Sequence, residues 1–124
     1  MMLLLAAVAA AVVVGEAEVR VIEPGSHNGG GKTTAYRYSD LAPGRTMEFR
    51  KRVLHAGSSI GVHPIAHDEV YYIVSGTGEL TAGGRTYPMT AGTAAYLYTG
   101  DTVGLRPVGG ELTVIISYPV TPKP

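Results

Sequence analysis

Apolar and polar residues alternate along this chain at the two-residue period of strands, in short runs separated by glycine- and proline-rich punctuation. Residues 19–22 (Val-Arg-Val-Ile) alternate and end at Glu23-Pro24-Gly25, and residues 33–38 (Thr-Thr-Ala-Tyr-Arg-Tyr) alternate and end in a turn at Pro43-Gly44. Residues 47–54 predict a longer strand, with Met47, Phe49, Lys51 and Val53 on one face and Glu48, Arg50, Arg52 and Leu54 on the other. Neither face is cleanly apolar, so it reads as an edge strand with solvated arginines; on a barrel wall, Arg50 and Arg52 would instead suit a ligand carboxylate. Residues 75–78 and 82–85 carry hairpin signals, residues 112–118 form the most apolar run and predict a buried final strand, and residues 119–124 read as a loose tail. Eight to ten strands follow, with no convincing internal helix. The pattern is that of an all-β sandwich or barrel.

Two segments invite other readings. Residues 1–14 contain only Met, Leu, Ala and Val, with Arg20 the first basic residue. That length suits the apolar region of a signal peptide and falls short of the about 20 residues of a membrane span. The expectation is export to the periplasm or outside, with residues 1–17 as the signal segment, residues 18–124 as a single domain and no stable membrane span; the alternative is a retained segment packed on the barrel. Residues 25–33 end in Gly31-Lys32-Thr33, yet five residues separate Gly25 from Gly31 where a phosphate loop has four, and a β pattern follows. This stretch reads as a flexible loop, with His27 exposed and without a role. His55, before Ala56-Gly57, reads as a surface or turn residue.

The chemistry concentrates in residues 57–76. An extended backbone from His63 onward would place His63, Ile65, His67, Glu69 and Tyr71 on one face, so that two imidazoles and a carboxylate converge. Gly57, five residues, His63, then Glu69, six residues and Gly76 resemble the first motif of the cupins, small β-barrel proteins in which a His-x-His pair and a glutamate supply metal ligands. The run Pro88-Met-Thr-Ala-Gly92 is similar to the opening of their second motif. The resemblance implies a double-stranded β-helix, or jelly-roll barrel, and a homodimer. It also locates departures: the second histidine position is Ile65, and the last falls on Val103.

If His67 replaces the missing partner, His63, His67 and Glu69 make a two-histidine, one-carboxylate set for a divalent metal such as Mn, Fe, Ni or Zn. The function this implies is a small-molecule-binding cupin, divalent-metal-dependent, acting on or binding a sugar or carboxylate in the barrel. One alternative is metal-free acid/base chemistry of the epimerase or isomerase type, with His63 or His67 as base and Tyr71 or Tyr96 as proton donor. Another is a non-catalytic carbohydrate- or protein-binding module, in which His63, His67 and Glu69 form a buried hydrogen-bond network. Asp68 reads as a turn-capping residue.

Composition narrows the field. Ten basic and ten acidic residues leave no net charge, which removes the electrostatic footprint of nucleic-acid binding. The absence of cysteine excludes disulfides and thiolate chemistry. Seventeen glycines and eight prolines in 124 residues fit one domain of short strands and tight turns.

Overall fold

The computed structural model describes residues 10–121. A single turn of helix, α1 (Glu16–Val19), leads into ten strands: β1 (Arg20–Gly25), β2 (Gly30–Arg37), β3 (Met47–Leu54), β4 (Ile60–Pro64), β5 (Glu69–Ser75), β6 (Thr77–Ala82), β7 (Arg85–Thr90), β8 (Ala94–Leu97), β9 (Thr102–Pro107) and β10 (Leu112–Pro119). They form two antiparallel sheets, one of six strands in the order β1-β2-β3-β10-β5-β8 and one of four in the order β4-β9-β6-β7. This is the all-β class expected from the pattern, in the jelly-roll arrangement that the cupin resemblance implies.

Each sheet turns one face inward, and alternation does the sorting. Leu112, Val114 and Ile116 of β10 point into the core between the sheets and are buried, while Thr113 and Ile115 between them are half-exposed. The final apolar run is therefore the centre of the larger sheet, flanked by β3 and β5. Leu54, Ile73, Leu80, Val103 and Leu105 join it in one cluster.

Three expectations need correction. Strand β3 is no edge: it lies between β2 and β10, with Glu48 and Arg52 buried on its inner face. The turn at Gly76 does not make a hairpin, because β5 and β6 belong to different sheets. There the chain crosses the barrel, and Gly76 takes φ 88° against the carbonyl of Glu111, where a Cβ would come within 2.1 Å. By contrast, the Gly83-Gly84 turn between β6 and β7 is the two-residue hairpin expected, with φ 58° and 79°. The stretch read as a flexible loop is a tight hairpin joining β1 to β2, and residues 30–33 already belong to β2.

The expected signal segment falls in part on residues 1–9, which lie outside the described residues, as do residues 122–124 of the tail. Val12, Val13 and Val14 lie beside Tyr38, Phe49 and Ile115, and Glu16 pairs with Lys51 of β3. Among the described residues no helix is long and apolar enough to cross a membrane. Export would leave a chain starting near Glu16 or Glu18, read by mass spectrometry of natively produced protein; an intact Met1 would remove that reading.

Candidate ligand site at the barrel mouth

Between the sheets lies a cavity of about 340 Å³, open to solvent and walled by β2, β3, β4, β5, β10 and the turn between β1 and β2. Register builds its wall. Arg37 of β2 pairs with Arg50 of β3, Arg50 with Ile116 of β10, and Ile116 with Tyr71 of β5, so one row across four strands brings two guanidinium groups and a phenol to the cavity. The row is possible because β3 is interior, which turns Arg50 and Arg52 from solvated residues into wall residues.

These arginines are held by two glutamates. Glu23 of β1 accepts from Arg37 and, at 2.9 Å, from Arg52, which also donates to Thr33 Oγ1 at 2.9 Å. Glu48, 1% exposed, accepts from Arg45 and Arg50. The Arg37 hydrogen bond, with Arg52 adding to it, holds the Glu23 carboxyl below its usual range against the opposing effect of burial. Burial works to raise the Glu48 carboxyl, yet Arg45 and Arg50 outweigh it and hold this carboxyl low as well.

Glu69 opens β5 and behaves in the opposite way. Its side chain is 8% exposed, and the His67 Nε2 stands 3.7 Å from its Oε2. That separation is too long for a hydrogen bond. Burial therefore pushes its carboxyl up, only partly offset by His67, His63 and Arg50. Tyr71, 2% exposed, faces the same cavity, and burial pushes its phenol up too.

His63, Ile65, His67, Glu69 and Tyr71 all line the one cavity, as the alternation from His63 onward anticipates. The path between them is not a continuous strand. β4 ends at Pro64, Ile65 is bound through its N–H to Asp101 O (3.0 Å) and through its carbonyl to the Gly100 N–H (2.9 Å), and β5 starts at Glu69. Asp68 secures the bend by accepting from the Thr99 N–H and hydroxyl and from the Tyr96 hydroxyl, the capping role its type suggests. Tyr96 thereby turns to the outside and away from the cavity.

The two histidines are committed differently. The His63 ring donates from Nδ1 to Gly61 O at 2.7 Å and stacks on His27, with centroids 3.4 Å apart and planes 6° from parallel. The His67 ring stacks on Tyr118 at 4.3 Å and 9°. Among the described residues no three His, Asp or Glu side chains gather into a set that could hold a metal ion. Ile65 and Val103, at two of the motif positions, are 4% and 0% exposed in the apolar core, and Val103 pairs directly with His63 across β4 and β9. The donor set expected from His63, His67 and Glu69 is thus not assembled, and the residues present do not fit a chelated divalent ion.

His27, Arg37 and Tyr118 also stand on the wall, and the sequence reading gave none of them a site role. His27 is exposed as expected, but it is placed, not idle. Its signal was the Ser26-His27-Asn28-Gly29 turn between two β runs, since Asn at a hairpin turn tolerates positive φ. His55, read as a surface residue, bridges the strands: its Nε2 lies 2.8 Å from Thr34 Oγ1 and its Nδ1 2.7 Å from Glu111 Oε2.

The sequence profile of the cupin domain matches residues 50–116. An uncharacterized protein of Streptomyces coelicolor is 30% identical over 74 residues, spanning 60% of this chain and 70% of that protein. Among solved structures, a predicted oxalate decarboxylase from Thermotoga maritima superposes with a TM-score of 0.77 at 22% identity, covering 88% of this chain and 99% of that one. A Cupin 2 conserved barrel domain protein from Salinispora arenicola superposes at 0.67 with 20% identity, covering 89% and 88%. At these identities the structural likeness shows the fold alone. The profile runs from Arg50 to Ile116, both on the cavity wall, and takes in more than half of the sequence: the chain belongs to the cupin family.

Proposed function

We propose that this cupin binds, or acts on, a small polar organic molecule, a carboxylate or a sugar, in the barrel-mouth cavity and without a divalent ion. The observation that carries the reading is Glu69. A carboxyl this deeply buried is normally paired or hydrogen-bonded, and this one faces the cavity with no hydrogen-bond partner among the described residues, His67 Nε2 standing 3.7 Å away. A ligand hydroxyl donating to it completes it. Arg50 and Tyr71, in one row of the wall, supply donors for the ligand's other end. In acid/base chemistry Glu69 and His67 would form the proton-exchanging edge, with His63 and Tyr71 as the remaining polar contacts.

The test begins with elemental analysis of the purified protein and of H67A, followed by calorimetric titration of EDTA-treated protein with malonate and with glucose. Metal-free protein is expected to bind one of them, and E69Q to weaken the binding of glucose, whose hydroxyls can donate to Glu69, at least tenfold. The same substitution is expected to raise the unfolding free energy by about 1 kcal/mol, because it removes an underpaired buried charge. A near-stoichiometric Mn, Fe, Ni or Zn that is lost in H67A and required for binding would replace this reading with the metal-dependent one.

A further inference from the structure

The turn that carries His27 places a side chain other than glycine where its backbone takes positive φ. Ser26-His27-Asn28-Gly29 closes with the Gly29 N–H donating to Ser26 O at 3.0 Å, and φ is 53° at His27 and 61° at Asn28. This is the type I′ geometry that glycine and asparagine adopt most readily. Among the described residues, these two are the non-glycine positions with positive φ. Such strain persists where surrounding structure imposes it.

Type I′ geometry sets the φ values, and β4 holds the turn in place. The Gly61 N–H donates to Ser26 O at 2.9 Å, and the Ser59 hydroxyl to Gly29 O at 2.8 Å. The backbones meet so closely that a Cβ on Gly61 would stand 2.0 Å from His27 O. His27 is therefore delivered to its place by main-chain docking, and its ring lands flat on His63 at 3.4 Å.

The effect falls on His63. A carbonyl only accepts, so the 2.7 Å contact with Gly61 O puts the ring proton on Nδ1 and leaves Nε2 an acceptor. Among the described residues Nε2 has no hydrogen-bond partner, and the ring lines the cavity. We propose that His27 is a positioning residue of the ligand site: its stacking holds His63 in the plane where Nδ1–H meets Gly61 O and Nε2 accepts a hydrogen bond from a ligand hydroxyl. Resting on the ligand reading above, this narrows the ligand to one bearing a hydroxyl as well as groups for Arg50 and Tyr71, a hydroxy acid or a sugar, and disfavours a bare dicarboxylate. Such a dicarboxylate offers Nε2 only lone pairs.

Two measurements test it, both using H27G, which keeps the turn's φ and removes the ring, with H27N as a second ring-free variant that tolerates the same φ. The first needs no ligand: long-range ¹H–¹⁵N correlation of the imidazoles at about pH 8.5, above the ordinary histidine range. His63 in the wild type is expected as a single Nδ1–H tautomer and in H27G as a mixture, with the His55 and His67 signals unmoved. Retention of the single tautomer in both variants would overturn the proposal. The second compares tartronate with malonate, which differ by one hydroxyl. The wild type is expected to bind tartronate about tenfold more tightly, the worth of one well-made hydrogen bond, and H27G to bind the two alike. Equal binding by the wild type would overturn the hydroxyl requirement alone. If the wild type binds neither these probes nor glucose, the ligand reading fails with it, and the tautomer then decides the positioning role by itself.

Discussion

Replacing Glu48 with Gln is expected to destabilise the fold by about 2–3 kcal/mol, read as a lower urea midpoint at unchanged slope. Glu48 is 1% exposed and is shared by Arg45, which arrives from the loop before β3, and Arg50, which stands on the cavity wall. Gln keeps the shape and removes the charge, so two guanidinium groups are left facing each other over a neutral amide. Loss of one member of a fully buried pair costs about 3–5 kcal/mol. The smaller figure applies because Arg45 and Arg50 keep 34% and 27% of their side chains exposed, where water can take over part of the solvation.

The pH dependence has a definite sign. The Glu48 and Glu23 carboxyls are held below their unfolded range, so they bind protons less readily folded than unfolded. Their stabilisation is present above the unfolded glutamate value of about 4.3 and is lost as pH falls through the folded values. Glu69, pushed up by burial, acts the other way and weighs against the fold as pH rises. The gap between wild type and E48Q should therefore be widest near neutrality and close in acid. A gap that stays constant down to low pH would show that the loss comes from packing and not from charge.

Gly29→Ala is expected to be the most damaging single methyl in the chain. Its Cβ would lie 1.8 Å from Ser59 O, 2.5 Å from Ser59 C and 2.8 Å from Gly61 N, all of them backbone atoms with no rotamer to escape into. The hairpin must lift from β4, breaking the Ser59-to-Gly29 and Gly61-to-Ser26 hydrogen bonds and separating His27 from His63. Overpacking of this kind costs about 1–3 kcal/mol, and backbone collision with loss of two hydrogen bonds places G29A at or above the upper end. Gly30→Ala is the control. There φ is 71° and nothing stands within 4 Å of the new Cβ, so only the strain of positive φ, about 1 kcal/mol, is expected. Thermal unfolding of the two variants beside wild type decides it: G29A no worse than G30A would mean that the hairpin is not seated on β4 as described.

How much of this was legible beforehand follows from which forces are local. Alternation is local: a strand with one buried face writes its period into the chain, and so the strands, the two-glycine turn between β6 and β7, and the buried last strand could be read directly. The spacing of His63, Glu69 and Gly76 is local too, and His63 and Glu69 both line the cavity. Position within a sheet is not local. Arg50 and Arg52 look like solvated edge residues until β2 and β10 cover both sides of β3, Glu48 two residues away pairs with Arg50, and Glu23 from distant β1 pairs with Arg52.

The sequence by itself determined the all-β class, the family motif and the group of residues at the barrel mouth, because side-chain period and motif spacing depend only on neighbours along the chain. Only the tertiary structure decided what those residues can do. His63 and Glu69 face one cavity, yet Ile65 and Val103 belong to the apolar core, the His67 ring lies flat on Tyr118, and His27 arrives from a hairpin 36 residues before His63. Chemistry at a site depends on distances and on which charges are left unpaired, and both are set by contacts between segments that the chain itself keeps far apart.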